Sequence, residues 1–477
     1  MFTRSSYKAI IISLLVFLLL SSAYIHSLAT SFCQSLNADI RFKNAVFFLP
    51  GSSNYTQFSE ENCWRSLTSQ TVWSKPSCIL KLTTTINLQQ AVTLLVQANV
   101  KFAIRSGGHC PSPGAANIDQ GVLIDMSGFN NAEYDATNQV AVIGSGQTWV
   151  TVVGGRVLDV GVGGLLLGNR LSYLSDLYGM ACDNVVNFEV VLADGSLVNA
   201  NKSSNPNLFW AFKGGANNFG IITSFTLSTY PIYDVWGGVK SYRSEDLPIL
   251  IAALLKYQSS PSRSPYANLF IQGFQTNSSF GVNLELVYLK PEESPEAFAP
   301  FYSIPTIADT TRLRTFSDFL TGQAFFEPDQ AIYQKLLVTL TTSPDKDMVQ
   351  SVTSGSLAYA FQPISPNLVN SGEQRGGNAL GLSPVEQTWF TLDALWWSPE
   401  DDQLVHHAVQ NLIDDIEDTT KSEGRYLQYQ FMNDASWDQP VIAHYGAASV
   451  GRMRQVQAQY DPTLVFQRLV PGGFKLG

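Results

Sequence analysis

Charge is scarce in this chain, and basic charge is scarcest: 14% of its 477 residues are Asp, Glu, Lys or Arg, with 29 basic side chains against 39 acidic ones. A formal net charge of −10 offers no basic surface to a phosphate backbone, which argues against a nucleic-acid partner. Cysteine is also sparse. Cys33, Cys63, Cys78, Cys110 and Cys182 fall at spacings that suit no zinc site, and their odd number leaves at least one thiol free or intermolecular in an oxidising compartment. No Gly-x-Gly-x-x-Gly opens a helix, so the dinucleotide fold built on that pattern is not expected. Beyond the first 29 residues no apolar run approaches the roughly 20 residues a membrane span needs.

What is present begins with a leader. Arg4 and Lys8 precede the apolar run Ala9 to Leu20, and small residues follow at Ser21, Ser22, Ala23, Ser27 and Ala29. This order reads as a secretory signal peptide over residues 1–29; the alternative, a membrane anchor, has to accommodate the serines that cut the run after position 20. A secreted or endomembrane-lumen protein with no membrane span after cleavage is expected. Three sequons, at Asn54, Asn201 and Asn277, fit a glycosylated product. With 45% hydrophobic and 12% aromatic residues the chain can fill two sizeable cores.

One Gly-rich stretch lies between two apolar runs. Lys101 to Ile104 and Gly121 to Asp125 read as buried strands, and Arg105-Ser106-Gly107-Gly108-His109 opens the loop that joins them. Adjacent glycines let the backbone take positive φ and turn successive N–H groups toward an anion such as a pyrophosphate. Arg105 adds a planar, permanently charged donor. Of the histidines, His26 falls in the leader and His406, His407 and His444 lie near the C-terminus, so His109 alone sits in such a loop. Taken by themselves these residues fit a tight turn capped by a histidine equally well. Upstream, Leu88, Ala91, Val92, Leu95 and Val96 form a helical stripe, so strand, helix, strand and Gly-rich loop make an α+β beginning.

Arg105 to His109 resembles the flavin loop of the berberine-bridge-like, FAD-linked oxidases, whose FAD-binding domain is of the vanillyl-alcohol-oxidase or PCMH type. Further stretches carry the resemblance: Gly154-Gly155-Arg156 with Asp159 to Gly168, Tyr178 to Val186, Asn207 to Ile222, and Asn433 to Lys475 at the end. It implies an α+β fold with a PCMH-type FAD-binding domain over 30–230. A substrate domain with an antiparallel sheet backed by helices would follow over 231–425, and a C-terminal segment over 426–477 would return to the FAD domain. Ser106, Gly107 and Gly108 would cradle the FAD pyrophosphate, with Arg105 and Asn117 in the same loop, and His109 would be the covalent attachment point. Gly163, Gly164 and Gly168 would lie against the ring system; Asp183 and Val185, with Gly215, Asn218, Gly220 and Ile221, would complete the cofactor site. Asn433 would stand near the isoalloxazine as a catalytic-site residue, and Cys33 would bridge Cys78. Cys63 and Cys110 are local extras. The run Ser365 to Gly381, rich in Gly, Asn, Ser and Gln, reads as a loop, and Thr388 to Trp397 as a strand.

Three departures from that pattern stand out. Relatives that attach FAD twice use a cysteine in the stretch that here runs Arg156 to Gly164 without one, so a single link through His109 is implied. Only Gln147 to Val153 intervene where relatives insert a helical crossover. Asn169-Arg170 stands where relatives continue with glycines, and Arg170 is expected either on an anionic group of FAD or in solvent. The implied activity is that of an oxidase passing a hydride from a small organic substrate, of the secondary-metabolite kind, to flavin, with dioxygen as the second partner and hydrogen peroxide released. Two alternatives stay open: the same fold catalysing a cyclisation with little redox turnover, and a secreted oligosaccharide oxidase. The base is not legible.

Overall fold

The computed structural model describes residues 28–61, 74–110, 112–148, 156, 160–261, 263–276, 280–320 and 342–477. Most of the leader, Cys63, Asn277 and most of the shortened crossover lie outside them.

Three sheets carry the fold. The first holds β1 (Val46–Phe48), β2 (Cys78–Lys81), β3 (Phe102–Arg105) and β4 (Val122–Asp125) in the order β1-β2-β4-β3, with β4 parallel to both its neighbours. A parallel pair needs a crossover, and α1 (Thr85–Gln97) supplies one: Thr84 accepts from the Asn87 N–H as its cap, and Leu88, Ala91, Val92 and Leu95 are buried against the sheet. A disulfide joins Cys33 to Cys78 at the start of β2.

The second sheet is antiparallel: β5 (Ala132–Asp135), β6 (Val140–Gly144), β7 (Val185–Val191), β8 (Leu197–Asn201) and β9 (Ile221–Ser228), in the order β5-β6-β9-β7-β8. The short helices α2 (Val162–Leu167), α3 (Ser175–Tyr178) and α4 (Pro206–Phe212) accompany it.

After Ser228 the chain builds a third, seven-stranded sheet from β10 (Asp234–Tyr242), β11 (Ala267–Thr276), β12 (Phe280–Tyr288), β13 (Ala308–Asp309), β14 (Arg312–Thr315), β15 (Ser356–Ile364) and β16 (Gln387–Leu395). Its path is β13-β10-β12-β11-β15-β16, with β14 also on β10. Side chains of directly paired residues share a face, and successive residues alternate. Phe390 pairs with Phe361, Phe361 with Ile271 and Ile271 with Leu284, and this apolar row packs with α5 (Leu247–Gln258) and Ile416. One residue along each strand, Thr391, Ala360, Gln272, Asn283 and Ser241 are paired in turn and face the other way. That second face looks toward the FAD-type domain: Trp389 on it packs on Tyr429 and Phe431 of the C-terminal segment.

Residues 365–381 correct an expectation. Instead of a loop, α6 (Pro366–Gln374) forms there, with Ser365 accepting from the Leu368 N–H and Pro366 in the first turn. Composition hid the start signal, a serine cap followed by proline, and Leu368, Val369 and Gly372 are buried. Behind β16 runs α7 (Asp402–Ser422), and near the end α8 (Ala447–Tyr460). The tail then returns to the first sheet, where the Phe102 N–H donates to the Leu469 carbonyl at 2.8 Å.

Candidate functional site

The Gly-rich loop leaves the end of β3 and closes on the residues ahead of α2. A Cβ on Gly107 would lie 2.4 Å from the Gly161 nitrogen, so the two backbones touch where any side chain would separate them. Gly108 has φ of 72°. The Ser106 hydroxyl donates to the Ser145 carbonyl at 2.6 Å and accepts from the Gly163 N–H at 3.2 Å, fastening the loop to α2. His109, half-buried, follows directly. Gly164 presents bare backbone to open space: no atom lies within 4 Å of where its Cβ would stand. At Gly168 the missing side chain makes room for the Asn433 carboxamide, whose Oδ1 is buried and has no hydrogen-bond partner. Ser106, Gly107, Gly108, His109, Gly163, Gly164, Gly168 and Asn433 therefore belong to one region.

Several other expected cofactor residues have structural employment. Arg105 does not reach out of its loop; it is 1% exposed and paired with Asp125 at 2.7 Å across the β3–β4 register. A buried guanidinium needs a carboxylate, and Asp125 is the one available. Asn117 is wholly buried, donating to the Ser59 and Ser74 carbonyls and accepting from the Ile118 N–H. Asn218 donates to the Gly215 and Phe474 carbonyls and accepts from the Leu476 N–H, so it ties down the tail. Gly215 and Gly220 are packing glycines, because a Cβ would strike the Ala211 carbonyl at 2.2 Å or the Val190 side chain at 2.5 Å. Val185 and Ile221 place their side chains in cores. At Gly215, Gly220, Val185 and Ile221 only backbone groups remain for a ligand, whereas Arg105 keeps a buried Nη1 without a hydrogen-bond partner.

Asp183 is buried, accepts from the Met180 N–H at 2.9 Å and from the Asn378 amide at 3.1 Å, and has its carboxyl raised by desolvation, with Lys213 opposing. Beside it the Cys182 thiol, buried and outside any disulfide, is raised far above the ordinary thiol range, mainly by burial. Of the sequons, Asn54 is exposed, whereas the Asn201 amide donates to Asn187 across the β7–β8 hairpin and its oxygen accepts from the Ser203 and Ser204 N–H groups.

Between α2 and the third sheet lies a polar cluster that sequence reasoning missed. Tyr173 donates to Glu285 at 2.5 Å, and both are almost fully buried. Desolvation, with Glu285 beside it, drives the Tyr173 phenol far above its usual range. The Arg156 guanidinium lies 4.8 Å over the Phe270 ring and donates to Gln362, whose own amide donates to Asp434 at 2.9 Å. Burial lowers Arg156. A legible signal did exist: in Asn283-Leu284-Glu285-Leu286-Val287 the strict alternation puts a carboxylate on a face whose burial requires a partner.

Asp393 completes the face. It occupies β16 two residues beyond Thr391, and Ala358 is directly opposite. Asp393 is exposed in front of the sheet, and its carboxyl is raised, by desolvation first, with Asp434 reinforcing and Arg170 opposing, to about 7. An acid poised near neutrality accepts and returns a proton most effectively there. Its signal was an acid at alternate spacing with Trp389 and Thr391 in a strand otherwise free of charge. Arg170, expected on a cofactor anion or in solvent, is half-buried and acts on Asp393, Arg156 and Tyr173. Asn169 before it has φ of 72° and is wholly buried, with neither carboxamide atom hydrogen-bonded.

Known proteins share this fold. Residues 76–201 match the sequence profile of a family described as FAD binding domain. The chain is 34% identical to the bifunctional solanapyrone synthase of Alternaria solani over 466 residues, covering 91% of this chain and 87% of that one. Among solved structures it superposes on 6-hydroxy-D-nicotine oxidase from Arthrobacter nicotinovorans with a TM-score of 0.73 at 18% identity, covering 91% and 98% of the two chains. Glucooligosaccharide oxidase from Acremonium strictum, which carries a 6-S-cysteinyl, 8α-N1-histidyl FAD, also gives 0.73, at 16% identity over 93% and 99%.

Proposed function

Since the chain belongs to the berberine-bridge-like, FAD-linked oxidoreductases of the PCMH-type superfamily, we propose that it oxidises a small, oxygenated organic substrate held between the Gly164 side of its FAD domain and the polar face of the third sheet. The observation that carries this reading is the placement of Asp393 on that face, opposite Ala358 and two residues from Thr391, where desolvation raises its carboxyl to about 7.

The residues present fit FAD. Gly164 gives bare backbone with clear space before it, Gly168 admits the unpartnered Asn433 oxygen, and Ser106 to Gly108 supply a glycine turn beside His109. Those groups would hold the cofactor, with His109 as a single covalent link, as the histidyl half of the link in glucooligosaccharide oxidase suggests. When bound, FAD supplies an electron sink that takes a hydride from a substrate C–H and is reoxidised by dioxygen to give hydrogen peroxide.

The chain's own residues do the rest. Asp393 in its ionised form takes the proton that the substrate gives up with the hydride. Gln272, whose Oε1 is buried without a partner, and Asn283, Thr391 and Ser241 beside it offer hydrogen bonds to a substrate with several oxygens. The Cys33–Cys78 disulfide and the leader favour a secretory route to the endomembrane lumen or the exterior. Screening phenolic, polyketide-like and oligosaccharide compounds for anaerobic bleaching of the flavin band, then for peroxide on admitting air, tests the proposal. A protein that purifies without flavin, or one whose flavin transforms substrate without ever being reduced, would contradict it.

A further inference from the structure

The last residues of the chain touch the Gly-rich loop on both sides of His109. Ahead of it, β3 is the outer strand of the first sheet and runs straight into the loop; on that edge the Phe102 N–H donates to the Leu469 carbonyl at 2.8 Å. Beyond it, Gly472 is buried against Gly114 and Ala115, where a Cβ on Gly472 would run into the Gly114 carbonyl carbon and the Ala115 nitrogen. A loop that springs from a sheet edge and holds Gly108 and Gly114 at φ of 72° does not fix a side chain by itself, because glycine leaves the backbone its widest choice. One segment of the tail grips it at two points with His109 between them. That segment is anchored in turn. Asn217 donates to the Gly472 carbonyl at 3.0 Å and accepts from the Lys475 ammonium at 2.9 Å, and Lys475 also donates to the Phe466 carbonyl at 3.0 Å. Asn218 donates to the Phe474 carbonyl and accepts from the Leu476 N–H. Phe466, Leu469 and Val470 are buried in the same core as Phe102.

Resting on the reading of Ser106 to His109 as a loop that holds FAD, we propose that residues 469–476 are a positioning strap: they set the conformation in which that loop takes the cofactor, with Asn217, Asn218 and Lys475 as the strap's fastenings. The cofactor site is then incomplete until the C-terminus has folded onto the first sheet, so FAD is taken up only by a finished chain. Asn217 and Asn218, which stand in a stretch that resembles a cofactor motif, thereby acquire a role as anchors of the strap.

The test follows hydrogen–deuterium exchange in the peptide covering residues 106–116, and FAD affinity by fluorescence titration in a His109→Ala background, where no histidyl bond can form. Gly472→Ala drives a methyl against the Gly114 and Ala115 backbone, and Lys475→Met removes both bonds of the ammonium. Each should speed exchange in that peptide and weaken FAD binding by roughly three- to tenfold, while peptides of the third sheet exchange as in the parent. Lys475→Arg, which keeps a donor at the fastening, should stay within about twofold of the parent. Gly451→Ala on α8, where the added methyl meets open space, should change neither reading. Loop exchange at the parent rate in Gly472→Ala and Lys475→Met, exchange that rises equally in the third sheet, or a faster loop with unaltered FAD affinity would each overturn the proposal. A parent that binds no FAD would instead remove the cofactor reading of the loop, and the two failures are told apart because loop exchange would then still respond to Gly472→Ala.

Discussion

The two faces of the seven-stranded sheet are built from the same strands, one residue apart, and differ in almost every physical respect. On one, Phe390, Phe361, Ile271 and Leu284 form a dry row under α5. On the other, Thr391, Gln272, Asn283, Glu285 and Asp393 stand beside the FAD-type domain, several with buried polar atoms. The pleat separates stability from chemistry, because a residue's parity decides which it serves. The first sheet shows the other way of handling buried charge: Arg105 and Asp125 neutralise each other in the core.

If that division holds, changes on the polar face should cost rate, and changes on the apolar face should cost folding. The largest effect is expected from Asp393→Asn, which should slow anaerobic flavin reduction by roughly 10²–10⁴-fold while leaving the urea midpoint of unfolding where it was. In the parent the same rate should rise as pH climbs through about 7, since Asp393 acts in its ionised form; a flat profile would break the comparison on its chemical side. Phe361→Ala should remove about 3–5 kcal/mol of stability in denaturant unfolding without altering the flavin spectrum of the folded fraction. The smallest effect belongs to the hidden helix: Ser365→Ala should cost about 1 kcal/mol through its lost cap, and an unaltered unfolding curve would mean that α6 is held by packing alone.

Legibility in the sequence follows the same division. Elements of the FAD-type domain announce themselves locally: a helical stripe from Leu88 to Val96, a glycine pair before His109, the Asp194-Gly195 turn joining β7 to β8. Asn433 could be placed through resemblance, and it meets Gly168 across a sequence gap that no local pattern spans. The polar cluster could not be assembled in advance, because Arg156, Tyr173, Glu285, Gln362, Asp393 and Asp434 come from distant segments and acquire meaning only when sheet register brings them together. Arg105, Asn117 and Asn218 show the converse, a duty in the fold that the sequence does not display. Each has the chemistry of a ligand, and only burial with Asp125, with the Ser59 and Ser74 carbonyls, or with the tail reveals a structural duty.

The central claim, a flavin held beside the polar face through one histidine, is tested most directly by the mass and absorbance of the denatured chain. The parent protein should retain a flavin band after denaturation and weigh more than its processed polypeptide by one FAD; His109→Ala should lose both the added mass and the retained band. A parent chain whose mass is that of the polypeptide alone, with its flavin released on denaturation, would contradict covalent attachment, and a parent that carries no flavin before denaturation would contradict the account as a whole.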